Sequence, residues 1–145
     1  MATNEKDEAA IRQRIADIVD ALGDKDLEAL SRPYAPDVVS FDVEPPLQHV
    51  GIAAKLNNWE KVFAHFQDVE YEVRDLRVIV GDGAAYAFGF GRLSGTLTNG
   101  VTTSGMWVRA TFCFRKVGGS WSIAHDQVSV PLDIPSGRGV TDLAP

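Results

Sequence analysis

Cysteine occurs once in this chain, at Cys113. No intramolecular disulfide can form, and a lone thiol in a β-rich stretch reads as a small buried hydrophobe. Basic residues are outnumbered, 14 Lys and Arg against 20 Asp and Glu, which leaves a net charge of −6. Phosphate backbones are gripped by clustered Lys and Arg, so no nucleic-acid partner is expected. No apolar run approaches the roughly eighteen residues of a membrane-crossing helix, so no membrane partner is expected either. The opening MATNEKDEAAIRQR has no apolar core of the kind secretory signals carry, which points to the cytoplasm. His49, His65 and His125 have no close mutual spacing and no accompanying cysteine pair, so no metal is expected. Gly89-Phe90-Gly91 and Gly118-Gly119 lie outside any strand–loop–helix unit, and no GxSxG is present. Nucleotide loops and nucleophile elbows are therefore absent, and no cofactor is expected.

What is present suits one globular domain over residues 1–145: 45% hydrophobic and 23% charged residues, in a length that buries about 70% of its unfolded surface. From Asp7 to Leu22, Ile11, Ile15, Ile18, Val19 and Leu22 make one helical stripe, with Arg12, Arg14, Asp17 and Asp20 opposite. Gly23 is placed to cap it, and Asp24 or Asp26 to start a short second helix holding Leu27 and Leu30, which Pro33 stops. Tyr34-Ala35-Pro36-Asp37 reads as a turn into a strand from Val38 to Val43, ended by Glu44-Pro45-Pro46. Gly51 opens a third helix, on which Ile52, Leu56, Trp59, Val62, Phe63 and Phe66 recur at helical spacing while Asn57, Glu60 and Lys61 fall on the polar side.

Beyond Asp68 the pattern becomes extended. Val69 to Val80 is a long strand whose alternation changes phase at Arg74-Asp75, which predicts a bend or bulge. Gly81-Asp82-Gly83 turns into a strand from Ala84 to Leu97, where Tyr86, Phe88 and Phe90 alternate with Ala85, Ala87, Gly89 and Gly91. Met106–Lys116 and Ser120–Pro131 then form a hairpin about Val117-Gly118-Gly119. The tail 133–145, with Pro135, Gly137, Gly139 and Pro145, is expected to be loosely held. The fold class is α+β: three N-terminal helices on a strongly curved antiparallel sheet that encloses an apolar cavity.

Four stretches carry a more specific likeness. They are Tyr34-Ala35-Pro36-Asp37 leading to Phe41-Asp42, the helix from Gly51 through Trp59 to Phe66, Gly83-Ala84-Ala85-Tyr86-Ala87-Phe88, and Arg115-Lys116 through Trp121, Ile123, His125, Asp126 and Ser129 to Pro131. Together they resemble the cone-shaped superfamily of nuclear transport factor 2, ketosteroid isomerase and the SnoaL-like polyketide cyclases. The resemblance implies that Asp42 stands where the isomerase has its aspartate base. It also implies that both oxyanion donors of that enzyme are missing, since Ile18 and Val19 occupy the region of its tyrosine and Ala110 the place of its second aspartate.

These readings define the candidate residues. Asp42 is either a general base at the cavity mouth or an ordinary strand-end carboxylate. Asp126 shares parity with Ala124, and the resemblance implies that this side faces the cavity; the alternative is a surface aspartate pairing with Arg109. His49 lies in the segment expected to rim the cavity, with a loop role or an assisting catalytic one. Trp59, Tyr86, Phe88, Phe90, Met106, Val108 and Phe112 are expected to line the cavity. Trp107, Arg109, Trp121, His125 and Gln127 have the opposite parity and are expected to meet a second copy across the sheet. The implied ligand is a small apolar or aromatic molecule, handled by cofactor-free isomerisation, cyclisation or dehydration next to a carbonyl. A binding or dimerisation module without catalysis is the alternative.

Overall fold

The N-terminal stripe becomes helix α1, Ala2–Asp24, in a computed structural model that describes residues 2–145. Ile11, Ile15, Ile18 and Leu22 are its buried face, none more than 4% exposed. The cap falls two residues later than Gly23. Lys25 takes the left-handed conformation (φ 54°), and the helix closes through Asp26 N–H to Ala21 O (2.9 Å) and Lys25 N–H to Leu22 O (3.2 Å). A lysine tolerates that backbone because its ammonium is held by the Phe66 and Gln67 carbonyls. Asp26 then caps the short α2, Leu27–Ser31, by accepting from Ala29 N–H at 3.0 Å.

Strand β1 runs Tyr34–Phe41, so the expected turn is already strand. The tyrosine end is accommodated by an irregularity between Tyr34 and Val39 where β1 pairs with the last long strand. β2 (His49–Val50) lies antiparallel to β1, and α3 (Ile52–Ala64) follows. Then come β3 (Phe66–Val80), β4 (Ala84–Leu97), β5 (Thr102–Val117) and β6 (Ser120–Ser129). The six-stranded sheet has the order β2-β1-β6-β5-β4-β3, antiparallel except that β1 and β6 run parallel. The helices cover its concave side, and the core gathers Ile11, Ile15, Leu30, Val38, Phe63, Phe112, Phe114 and Ile123. In the tail, β7 (Leu132–Asp133) and β8 (Arg138–Gly139) form a small exposed ribbon where loose chain was expected.

Two irregularities set which side chains face inward. At the predicted bend, the β3–β4 register slips between Arg74 and Arg77, with Asp75 left-handed (φ 57°). Gly89 sits beneath it: a Cβ there would fall 2.9 Å from the Arg74 carbonyl oxygen. In β6, Cys113 pairs with His125 and Phe114 with Ile123, so Ala124 is an extra, unpaired residue. This bulge reverses parity along the strand. Trp121 and Ile123 before it, and Asp126 after it, are all buried, at 2%, 0% and 3% exposure.

Trp121 is thereby corrected from interface residue to core residue. Its ring is covered by α1, and its indole N–H donates to Asp7 at 3.0 Å, which lowers the Asp7 carboxyl below its usual value. Tyr86 and Phe88 are corrected in the other direction. They stack on the outer face, 47% and 37% exposed, while Ala85 and Ala87 point inward. Phe90 shares their parity and also lies on the outer side. The helices leave room on the concave side only for alanine and glycine at this level of β4, so the large residues go outside. Phe112 does face inward, at 6% exposure, but is consumed by the core rather than by a cavity.

Candidate functional site

Val38, Ser40 and Asp42 share the inward parity of β1 and its extension. Ser40 is fully buried, and the Asp42 side chain is only 10% exposed. Opposite them α3 presents Lys55, Asn58, Trp59 and Val62, spaced three, one and three residues apart and so on one helical side. Asp126 enters from β6 just past the bulge.

The centre of the cluster is Lys55. Its ammonium lies 3.2 Å from Asp42 Oδ1 and 3.1 Å from Asp126 Oδ2, with the side chain 3% exposed. Two carboxylates therefore share one buried cation. Asp126 is engaged on both oxygens: Ser40 Oγ donates to Oδ1 at 2.5 Å and Tyr34 Oη to Oδ2 at 3.2 Å. Burial, followed by the charge of Asp126, pushes the Tyr34 phenol well up, so it stays a donor. Arg109 takes no part and donates instead to Ser129 Oγ on the outer face.

Asp42 is held differently. Asn58 Nδ2 donates to its Oδ2 at 3.2 Å and also reaches Glu44 Oε1 at 3.3 Å. His49 Nδ1 is 3.1 Å from the same Oδ2 but is not aligned for a hydrogen bond. Asp42 also borders the apolar end of the cone, a cavity of about 110 Å3 lined by Trp59, Val62, Tyr71, Leu93, Met106, Val108 and Val128, with Val43, Glu44 and Asn58 at its edge. On the far side of Glu44, Asn58 and Val62 lies an open cleft of about 470 Å3 lined by Pro45, Pro46, His49, Ala54, Asn57, Lys61 and His65. His49 thus stands between the Asp42 carboxylate and the cleft.

The structure accordingly brings Asp42, His49 and Asp126 into one cluster, and puts Trp59, Met106 and Val108 on the cavity wall. Trp107, Arg109, His125 and Gln127 lie on the outer face: Arg74 stacks on Trp107 at 4.4 Å, and His125 Nδ1 meets the Val39 carbonyl at 2.6 Å beside Phe41. Cys113 lies on that face too, half-buried, and burial raises its thiol above the usual value.

Lys55, Asn58 and Tyr71 are the site residues that sequence reasoning passed over. For Lys55 a signal existed, because it falls in the apolar stripe between Ile52 and Trp59 where an unpaired lysine would be costly. Among the described residues no group of three or more His, Cys, Asp or Glu is placed to hold a metal. No helix among them is long and apolar enough to cross a membrane.

A family model described as a SnoaL-like domain matches residues 11–133. No curated protein matches significantly. Among solved structures, a nuclear transport factor 2-like protein of unknown function from Pseudomonas putida KT2440 is 29% identical with a TM-score of 0.87, covering 97% of this chain and 98% of that one. A ketosteroid isomerase-like protein from Erwinia carotovora atroseptica SCRI1043 is 24% identical with a TM-score of 0.70, covering 83% and 93%. A candidate scytalone dehydratase from Novosphingobium aromaticivorans DSM 12444 is 16% identical with a TM-score of 0.78, covering 88% and 85%. The last two likenesses concern the fold alone.

Proposed function

Because the chain belongs to the SnoaL-like domain family, we propose that it binds a small apolar or aromatic molecule in its cone and, without a cofactor, moves a proton next to a carbonyl group of that molecule. One observation carries this reading: Asp42, a nearly buried carboxylate, borders an apolar cavity and is held in place by Lys55 and Asn58. In the proposed step Asp42 takes a proton from the carbon next to the carbonyl, and the C–H electron pair moves onto the carbonyl oxygen as an enolate. Return of that proton to another carbon gives isomerisation. Attack of the enolate carbon on a second carbonyl carbon of the molecule, whose oxygen takes the proton back from Asp42, gives cyclisation; departure of a hydroxyl β to the carbonyl, leaving as water with that same proton, gives dehydration. Asp126, held by Ser40, Tyr34 and Lys55 and not on the cavity wall, positions the lysine rather than meeting the ligand. His49, between Asp42 and the cleft, is the route by which a proton exchanges with solvent.

The test needs no knowledge of the natural substrate. Cyclohexanone in deuterated water should exchange its α-hydrogens in the presence of the protein, followed by NMR. Asp42→Asn should lower that rate by about 10²–10⁴-fold, the usual contribution of a general base. An unchanged rate in the variant would remove Asp42 from the mechanism. A second reading, ligand binding or dimerisation without turnover, is favoured by Ala110, an inward methyl at the place of the isomerase's second oxyanion donor. It predicts binding with no exchange above buffer.

We further propose that the outer sheet face takes a second copy of the chain. The stacked pair Tyr86 and Phe88, with Ile79 and Phe41, leaves four large apolar side chains 37–47% exposed on one side of the sheet. Phe88→Glu should dissociate the dimer in sedimentation. A wild-type protein that sediments as a monomer at micromolar concentration would refute the claim.

A further inference from the structure

Tyr71 of β3 lines the cone beside Leu93, Met106 and Val108, and also borders the open groove between α1 and β3. The two cavity-side tyrosines differ in one respect. The Tyr34 hydroxyl is spent on Asp126, whereas the Tyr71 hydroxyl has no hydrogen-bond partner among the described residues. Its place is made by the neighbouring strand, where a Cβ added at Gly91 would fall 2.0 Å from the hydroxyl oxygen. The phenol is thus seated over the bare backbone of Gly91 and bonded to nothing among the described residues. Burial of the ring, with the nearby charge of Asp126, keeps the phenol protonated. A protonated phenol offers one hydrogen to an acceptor.

We propose that Tyr71 is the hydrogen-bond donor of the cone toward its ligand, and that the group it meets is the uncharged carbonyl oxygen of a molecule no larger than a single ring. This rests on the reading of Asp42 as base. An anionic ligand is disfavoured because Asp42 and Glu44 border the same cavity. The size follows from volume: a dry void of about 150 Å3 accepts benzene, so about 110 Å3 open toward Glu44 and Asn58 takes one small ring with its edge at the cleft. Tyr71 would then supply, from β3, the oxygen-stabilising donor that the first helix and Ala110 do not.

The experiment compares two probes of nearly equal shape, cyclohexanone and methylenecyclohexane, by NMR titration of wild type and Tyr71→Phe. Because water holds the ketone more strongly than the hydrocarbon, the preference is read as a ratio: the ketone-to-hydrocarbon affinity ratio should be about tenfold higher in wild type than in Tyr71→Phe, the worth of one good hydrogen bond. Methylenecyclohexane should bind both proteins alike. In wild type, without any variant, the carbonyl stretch of bound cyclohexanone should move below its value in hexane, so the inference stays testable even where the variant does not fold. If both probes bind at the cone and the variant keeps the preference, or the stretch does not move, this inference fails while the reading of Asp42 stands. If neither probe binds, both fall. If the probes behave as expected but Asp42→Asn exchanges at the wild-type rate, only the base assignment is lost.

Discussion

Replacing Lys55 by methionine is the sharpest probe of the buried cluster. At 3.1 and 3.2 Å from its two carboxylate oxygens, each attraction amounts to about 5 kcal/mol at an effective dielectric constant of about 20. Removing three charged groups from water offsets most of that. Lys55→Met forfeits the attraction but leaves Asp42 and Asp126 buried side by side, so the net loss should be about 3–5 kcal/mol, the usual consequence of breaking a buried pair from one side. For a chain of this length that corresponds to a fall in Tm of about 6–20 °C. Asp126→Asn is milder, since Lys55 keeps Asp42 and the amide oxygen still accepts from Ser40 or Tyr34; about 1–3 kcal/mol is expected. Together the two changes should cost less than their sum by about 1–3 kcal/mol, because the second removes one of the carboxylates that the first left unpaired. Urea denaturation followed by tryptophan fluorescence measures all three. A Lys55→Met cost below about 1 kcal/mol, or strict additivity, would refute the claim that one cation holds two buried carboxylates.

Two further outcomes follow from the same geometry. Tyr34 and Tyr71 both have raised phenols, so above the ordinary value of 10.0 the unfolded chain loses protons that the folded chain keeps. Their contribution is complete below pH 10 and drains away as pH rises toward the folded values, at about 2.7 kcal/mol per pH unit for the pair. Tyr34→Phe should halve that slope in denaturation measured across the alkaline range, and an unchanged slope would contradict the burial of its hydroxyl. Gly89→Ala places a methyl 2.9 Å from one backbone atom of β3 and 3.2 Å from another, neither of which can swing aside. The expected loss is about 1–3 kcal/mol in urea; a neutral effect would mean that the bend at Asp75 is soft.

The helical stripes, the bend at Arg74-Asp75 and the closing hairpin were all legible because each follows from local chemistry: periodicity of 3.6, a break in alternation, a Gly-Gly turn. Which side of a strand faces inward is a different kind of fact. Alternation on β4 separated Tyr86 and Phe88 from Ala85 and Ala87 correctly, but the choice between faces depends on how closely α1 approaches, and no residue of β4 records that. The Ala124 bulge hides for a related reason. It adds one residue with an ordinary side chain, so Trp121 and Asp126, of opposite parity in the sequence, end up on the same buried side. The site was half legible. Asp42, His49 and Asp126 are polar residues standing out in apolar or strand-like surroundings, whereas Lys55 was lost among surface lysines although its place in the α3 stripe marked it. Tyr71 looked like any strand aromatic, and its significance lies in the glycine on the adjoining strand.

The parallel pairing of β1 with β6 bears on how the molecule comes into being. Ser40 and Asp126 meet across 86 residues of chain, and the intervening hairpins form more quickly because their partners are neighbours. As the polypeptide leaves the ribosome, Asp42 and Lys55 emerge well before the strand that completes their pocket. Until β6 inserts between β1 and β5, the lysine is free to stay hydrated. Its dehydration is therefore coupled to the last closure of the sheet, and a chain ending before Asp126 would lack both the central strand and the carboxylate that holds the ammonium inside.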